Sequence, residues 1–229
     1  MTPRLKPIEN ENLGQRAYQE MRSALTDGRY YPGDRLRLRD LAEELGVSVT
    51  PIREAVLQLV RDGALEMRTA RDIRVRTVSP DEFAEIALVR QHLEGLAVER
   101  FVAQMQPRHL SELTAIDEKQ QAALQRKDYR TAVALDRRFM FTIFEAVEMP
   151  ILKETLDRLW LVARPTVSLL YSDEGSHRLK LNNDSLLTEL AAGNVKRAAD
   201  ARRMQIEESV GIIIEMLKEQ DLDEVAVSS

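Results

Sequence analysis

The run Ser48-Val49-Thr50-Pro51-Ile52-Arg53 places two hydroxyl side chains and a guanidinium at the head of an apolar-periodic segment. A guanidinium fork matches the two acceptors that guanine presents in the major groove of DNA, and a threonine suits a phosphate or a thymine methyl. Arg35, Arg37 and Arg39 lie before and at the start of the preceding periodic segment, where helix N–H groups also favour phosphate. Arg68, Thr69, Arg71 and Arg74 surround the tip of a later hairpin-like stretch. The chemistry on offer is contact with double-stranded DNA. A second set of polar residues interrupts apolar stripes further along: Arg90 with Glu94, Asp136, Arg164, Asn183 and Gln205. An unpartnered polar group on a buried face costs ~1–3 kcal/mol. Five interrupted stripes therefore point to a shared polar cavity, with separate interhelical hydrogen bonds as the alternative. Arg90 and Arg164 can clamp a carboxylate there, while Asn183 and Gln205 offer both donors and acceptors. Glu94, four residues on, can instead satisfy Arg90.

Other chemistry is narrow. The chain has no Cys and three His in 229 residues, which excludes disulfides, thiolate catalysis and Cys-ligated metals. His92, His109 and His177 fall in different segments. His109 reads as an exposed first-turn residue, and His177 as one within reach of the cavity. No nucleophile–base pair, phosphate loop or metal set is present, so an enzyme is not expected; Asp136 is the one foothold for acid–base work. No apolar run approaches the roughly 20 residues of a membrane span. The opening MTPRLKPIENENLGQ lacks the apolar core of a secretory signal, so a cytoplasmic location is expected. The net charge of −5 is uneven: residues 1–77 hold 14 Lys+Arg against 12 Asp+Glu, and the remainder 19 against 26. A mildly basic head on an acidic body suits a nucleic-acid reader joined to something else.

The elements that must hold these residues follow from periodicity. Ala17, Met21, Ala24 and Leu25 predict a helix over roughly 13–27. Gly28, Pro32 and Gly33 break it. Leu38, Leu41, Ala42 and Leu45 make a short helix closed by Gly46. Ser48 or Thr50 caps the next, with Pro51 in its first turn and Ile52, Ala55, Val56 and Leu59 on its inner face. After Gly63, the stretch LEMRTARDIRVR alternates as two short strands. This is a winged helix-turn-helix of three helices and a β-hairpin. Ser79, Pro80 and Glu82 form a capping box that opens the second part. There the helical segments run roughly 80–105, 108–126, 129–147, 150–171, 176–192 and 195–219, with the last residues frayed. The fold expected is mainly α: residues 1–77 as the winged helix-turn-helix, and 78–229 as an antiparallel bundle of six or seven helices.

These stretches carry a resemblance. DGRYYPGDRL, LAEELGVSVTPIREAVLQLVRDGAL and the hairpin after them resemble the DNA-binding domain of GntR-type bacterial regulators, over nearly all of residues 12–76. The resemblance implies DNA contacts from Arg35, Arg39, Thr50, Arg53 and the wing, to which the residue reading adds Ser48. Many members have Gly at the wing tip where this chain reads Arg68-Thr69-Ala70-Arg71, so backbone approach to the minor groove is not expected. VRQHLEGLAVE, ALDRRFMFTIFEA and LLTELAAGNVKRAADARR resemble the FadR-type C-terminal ligand-sensing (FCD) domain, over about residues 80–220. Many such domains hold a divalent metal through one Asp and three His. Those positions match Asp136, Met140, Asn183 and Gln205. Met prefers soft metals, and the amides are weak neutral ligands. No metal or other cofactor is therefore expected. The predicted effector site is Arg90, Asp136, Met140, Arg164, Asn183 and Gln205, with an organic effector in place of the ion. The whole reads as a ligand-responsive repressor, a homodimer on a palindromic operator, with no membrane. A constitutive dimeric regulator with a vestigial pocket, and a small-molecule enzyme carrying a DNA-binding head, are the alternatives.

Overall fold

The computed structural model describes residues 13–69, 71–178 and 182–227, with side chains as far as residue 219. The head contains α1 (Leu13–Thr26), β1 (Arg35–Leu36), α2 (Leu38–Glu44), α3 (Val49–Arg61), β2 (Leu65–Thr69) and β3 (Asp72–Val75). Its apolar nucleus follows the predicted stripes: Ile52, Val56 and Leu59 of α3 are 0% exposed and meet Ala17, Met21 and Leu25 of α1. Gly46 and Gly63 take φ of 65° and 79°, which only Gly adopts cheaply at a helix end. Tyr18 donates to Asp62 Oδ2 at 2.8 Å, pinning α1 to the end of α3. Burial first, then that carboxylate, push the phenol up to about 12.

The expected hairpin is part of a three-stranded antiparallel sheet in the order β1-β3-β2. Arg35 pairs with Arg74, and Leu36 with Ile73. A two-residue strand is too short to show the alternation that marks longer ones.

The second part contains α4 (Pro80–Gln104), α5 (Pro107–Gln125), α6 (Tyr129–Ala146), α7 (Pro150–Val167), a 3-10 turn at Ser168–Leu170, α8 (Asp173–Arg178), α9 (Asp184–Ala191) and α10 (Val195–Val227). Ser79 Oγ caps α4 by accepting from the Glu82 N–H at 3.2 Å. The Glu82 carboxylate turns to Arg76, so only half of the expected box forms. The segment expected over 176–192 is two helices. Gly175 lies so close to the Leu169–Leu170 backbone that a Cβ there would stand 2.5 Å from it, which fixes the tight bend into α8. Asn182 then starts a new turn by accepting from the Asp184 N–H at 3.1 Å. Leu179, which the sequence places on the apolar stripe of Leu186 and Leu190, lies outside the described residues. α10 continues to Val227, past the expected end at 219.

α4 packs along α10. The Glu99–Arg203 pair at one end and Phe83 with Ile213 at the other make them antiparallel. The main bundle core gathers Phe101, Phe139, Met140, Leu156 and Trp160. The two parts share packing: Leu161 of α7, 1% exposed, belongs to the apolar nucleus of the head. Arg22 of α1 pairs with Asp157 of α7 at 3.4 Å. No described helix is long and apolar enough to cross a membrane.

Candidate functional site

The leading turn of α3 stands at the surface of the head. Ser48 takes the N-cap position, yet its hydroxyl makes no cap bond. Ser48, Thr50 and Arg53 are all exposed, while Ile52 beside them is fully buried. One helix thus anchors its inner face and presents the opposite one. Arg39, in the first turn of α2, is exposed as well. The Arg39 and Arg53 guanidinium groups have no protein partner among the described residues.

Arg35 is placed differently from the expectation. It lies on β1 rather than at a helix end, and its Nη2 donates to the Arg71 carbonyl at 3.1 Å, with Asp72 3.5 Å from Nε. It braces the wing while leaving its side chain 47% exposed. Thr69 Oγ1 accepts from the Arg71 N–H at 3.3 Å, a bond inside the turn; Ala70 lies outside the described residues. Arg68 pairs with Glu66 at 2.7 Å and Arg74 with Asp72 at 3.0 Å. Among the described wing side chains, Arg71 is the exposed cation left without a partner.

Inside the bundle a cavity of about 190 Å³ is lined by Arg90, Asp136, Arg164, Asn183 and Gln205, joined by Arg202. Five of the six predicted effector residues thus meet in one place. Met140 does not: it is 0% exposed in the apolar core and stays off the cavity wall. It follows Phe139 on α6, and both pack among aromatic and aliphatic side chains. His177 is exposed at the end of α8 and away from the cavity. His109 is only half-exposed: its Nδ1 accepts from the Gln106 N–H at 3.3 Å and its ring lies 5.7 Å from that of Phe101.

Glu94 organises one wall. It is 0% exposed and accepts from Arg90 Nε at 2.8 Å, Trp160 Nε1 at 2.8 Å and Arg202 Nε at 2.8 Å. Burial alone would raise its carboxyl; the charges of Arg202 and Arg90 outweigh that and hold it below the ordinary glutamate range. Burial lowers Arg90, with Glu94 opposing, but a guanidinium remains charged throughout. Arg90 spends only Nε on Glu94, and its terminal amino groups meet no protein acceptor among the described residues.

On the facing wall Arg164 donates through Nη1 to Asp136 Oδ2 at 2.6 Å and through Nη2 to the Val133 carbonyl at 2.7 Å. Its Nε is buried without a partner. Burial opposes its charge, yet Asp136 and then Tyr171 raise it overall. Asn183, the N-cap of α9, donates to Asp117 at 2.8 Å and Gln120 at 3.2 Å. Gln205 accepts from Arg202 at 3.3 Å and donates to the Asn182 carbonyl at 3.1 Å.

Three guanidinium groups here pair with two carboxylates, Glu94 behind the wall and Asp136 on it, and a third carboxylate, the exposed Glu208, also lines the cavity. Sequence reasoning found the Arg90–Glu94 spacing but missed Arg202 and Trp160 as partners of Glu94. Arg202-Arg203 is a doublet, and only the first side chain turns inward. The residues do not fit a divalent metal. Arg164 already occupies the Asp136 carboxylate, Met140 is in the core, and no group of three His, Cys, Asp or Glu among the described residues is placed to hold an ion.

Residues 13–75 match the family described as bacterial regulatory proteins, gntR family, and residues 85–208 match the FCD domain. The chain is 32% identical over 189 residues to the HTH-type transcriptional regulator McbR of Escherichia coli strain K12, covering 82% of this chain and 86% of that one. It is 24% identical over 217 residues to the HTH-type transcriptional repressor RspR of the same strain, covering 92% and 94%. The solved structure of E. coli McbR/YncC superposes with a TM-score of 0.80 at 30% identity, over 89% of this chain and 98% of that one. A GntR regulator from Rhodococcus sp. RHA1 shares the fold at a TM-score of 0.73 and 22% identity, over 90% and 99%.

Proposed function

The chain belongs to the GntR family of bacterial regulatory proteins, with an FCD domain behind its DNA-reading head, and on that premise we propose a repressor released from its operator by a small organic carboxylate. It is a transcription regulator and not an enzyme. The observation that supports the ligand class is the unspent hydrogen-bonding of two buried arginines on one cavity: the terminal amino groups of Arg90 and the orphaned Nε of Arg164. A carboxylate supplies the acceptors that these donors lack. The proposed site needs no metal, since Arg164 already provides the cation beside Asp136. About 150 Å³ admits a benzene-sized molecule, so a cavity of about 190 Å³ suits a compact acid.

The regulator acts as a homodimer in the cytoplasm. Two copies of α3 reach successive major grooves ~34 Å apart on a palindromic site. α4 leaves Leu88 55% and Val89 41% exposed, an apolar pair available to a second copy. The effector shifts the arrangement of the two heads only as far as it binds one arrangement better than the other.

A thermal-shift screen of small organic acids tests the ligand. The expected result is a stabilisation that grows with the logarithm of concentration, ~2.7 kcal/mol at one hundred times Kd, and that vanishes in Arg90→Met. A blank across a broad panel of acids favours a constitutive DNA-binding dimer.

A further inference from the structure

Arg164 links the cavity to the seat of the head. Arg164 lines the cavity, and its Nη2 holds the Val133 carbonyl of α6 at 2.7 Å. Its own carbonyl accepts from Ser168 Oγ at 2.9 Å. Val133 and Ser168 form the two sides of a notch, and the head sits in it at Gly28. A Cβ on Gly28 would stand 2.8 Å from Val133 Cγ1 and 3.1 Å from Ser168 Oγ. Gly28 has φ of +70°, so both space and backbone favour the absence of a side chain there. It lies two residues beyond α1, which packs against α3. Next to this seat Asp27 faces Arg137 at 3.7 Å.

We propose that Arg164 is a positioning residue for the DNA-reading head: by gripping the Val133 carbonyl it holds one side of the notch that seats Gly28 at its distance from Ser168 on the other, and a ligand drawing on Arg164 alters that seat. The guanidinium is well suited to this. Asp136 and Val133 take its two terminal nitrogens, while Nε has no partner. An anion bound at Nε competes for the same planar group, and any rotation toward it lengthens the bond to Val133. Packed walls respond to such a shift by stepping between arrangements rather than by yielding gradually. The route from ligand to DNA is then short: cavity, Arg164, Val133 and Ser168, Gly28, α1, α3.

The ligand-driven half of this proposal rests on the carboxylate reading; the mechanical link does not, and the test needs no ligand. Hydrogen exchange is followed in the full chain at Gly28 and Arg29, whose amides bond Leu25 and Ala24 at 3.4 Å and 3.0 Å. In Arg164→Met these amides should exchange about tenfold faster while those of α3 keep their protection. Arg164→Lys, which retains the charge and at most one of the two bonds, should fall between. Coupling is reciprocal, so a change at the head must be felt in the cavity. Trp160, the single Trp of the chain, lies 5.3 Å from the Arg164 guanidinium. Gly28→Ala should therefore shift its emission and change its quenching by acrylamide by about twofold. Unaltered exchange at Gly28 in folded Arg164→Met, or unaltered Trp160 emission in Gly28→Ala, overturns the link. If Arg164→Met does not fold, the Gly28 arm decides alone. A blank acid screen with both arms positive would remove the carboxylate and keep the link.

Discussion

Glu94→Ala should lower the stability of the chain by about 3–5 kcal/mol, because it leaves two guanidinium groups buried without their shared counter-charge. Arg90 and Arg202 have side chains only 7% and 9% exposed, and Glu94 is their common partner. The same carboxylate satisfies the indole N–H of Trp160 at 2.8 Å, so one substitution orphans three donors. Urea unfolding followed by Trp160 emission measures the loss as a lower midpoint at unchanged slope. Glu94→Gln separates charge from hydrogen bonding: it keeps one acceptor oxygen and should lose less. The pH dependence has a fixed sign. The folded carboxyl of Glu94 lies below its ordinary range, the two arginines outweighing its burial. Its contribution is therefore complete above the unfolded pKa of ~4.3 and is lost as pH falls through the folded value. Wild type should lose stability across that acid window, and Glu94→Ala should show a shallower loss. A midpoint for the alanine variant within error of wild type would show that the two arginines find other partners without cost.

The contrast between this wall and the head shows what a sequence can disclose. The head was legible almost residue by residue. Its positions are set by local rules: Gly46 and Gly63 at helix ends, Ser48 before Pro51, an inner stripe at Ile52, Ala55, Val56 and Leu59. Those rules act within a few residues, so a linear reading captures them. β1 escaped because its partner lies 39 positions away, with Arg35 opposite Arg74. The cavity was legible as a set of interrupted stripes, and Arg90, Asp136, Arg164, Asn183 and Gln205 do share it. Met140 was placed there through the resemblance alone, whereas its chemistry, apolar and flexible, sends it to the core with Phe139. Arg202 was missed for a geometric reason. Two adjacent arginines on one helix point about 100° apart, and only the surrounding fold decides which one finds Glu94. Leu161 was missed because nothing in its own helix shows that the far face of α7 completes the nucleus of another unit.

Arg53→Ala should remove the preference for the operator over unrelated DNA, at a cost of about 1–3 kcal/mol per half-site contact, while leaving fold and assembly intact. The side chain is exposed, without a protein partner among the described residues, and stands on the free face of α3 above an inner face that is fully buried. Its loss opens no cavity and orphans no buried group, so stability should change by no more than about 0.5 kcal/mol. Operator sequences selected from random duplexes with the wild-type chain supply the probe, and anisotropy titrations of selected and scrambled duplexes supply the two affinities. Arg39→Ala is the informative control. An exposed arginine in the first turn of α2 is placed for phosphate rather than bases. Its removal should weaken both duplexes alike and reduce the salt slope of binding by about one. If Arg53→Ala instead behaved as Arg39→Ala does, with both duplexes weakened equally, its guanidinium would be a phosphate clamp. Base reading would then fall to Ser48 and Thr50, whose short hydroxyls cannot engage both guanine acceptors at once. The size of the discrimination therefore reports directly on whether the leading turn of α3 lies deep in the groove or rests on its edge.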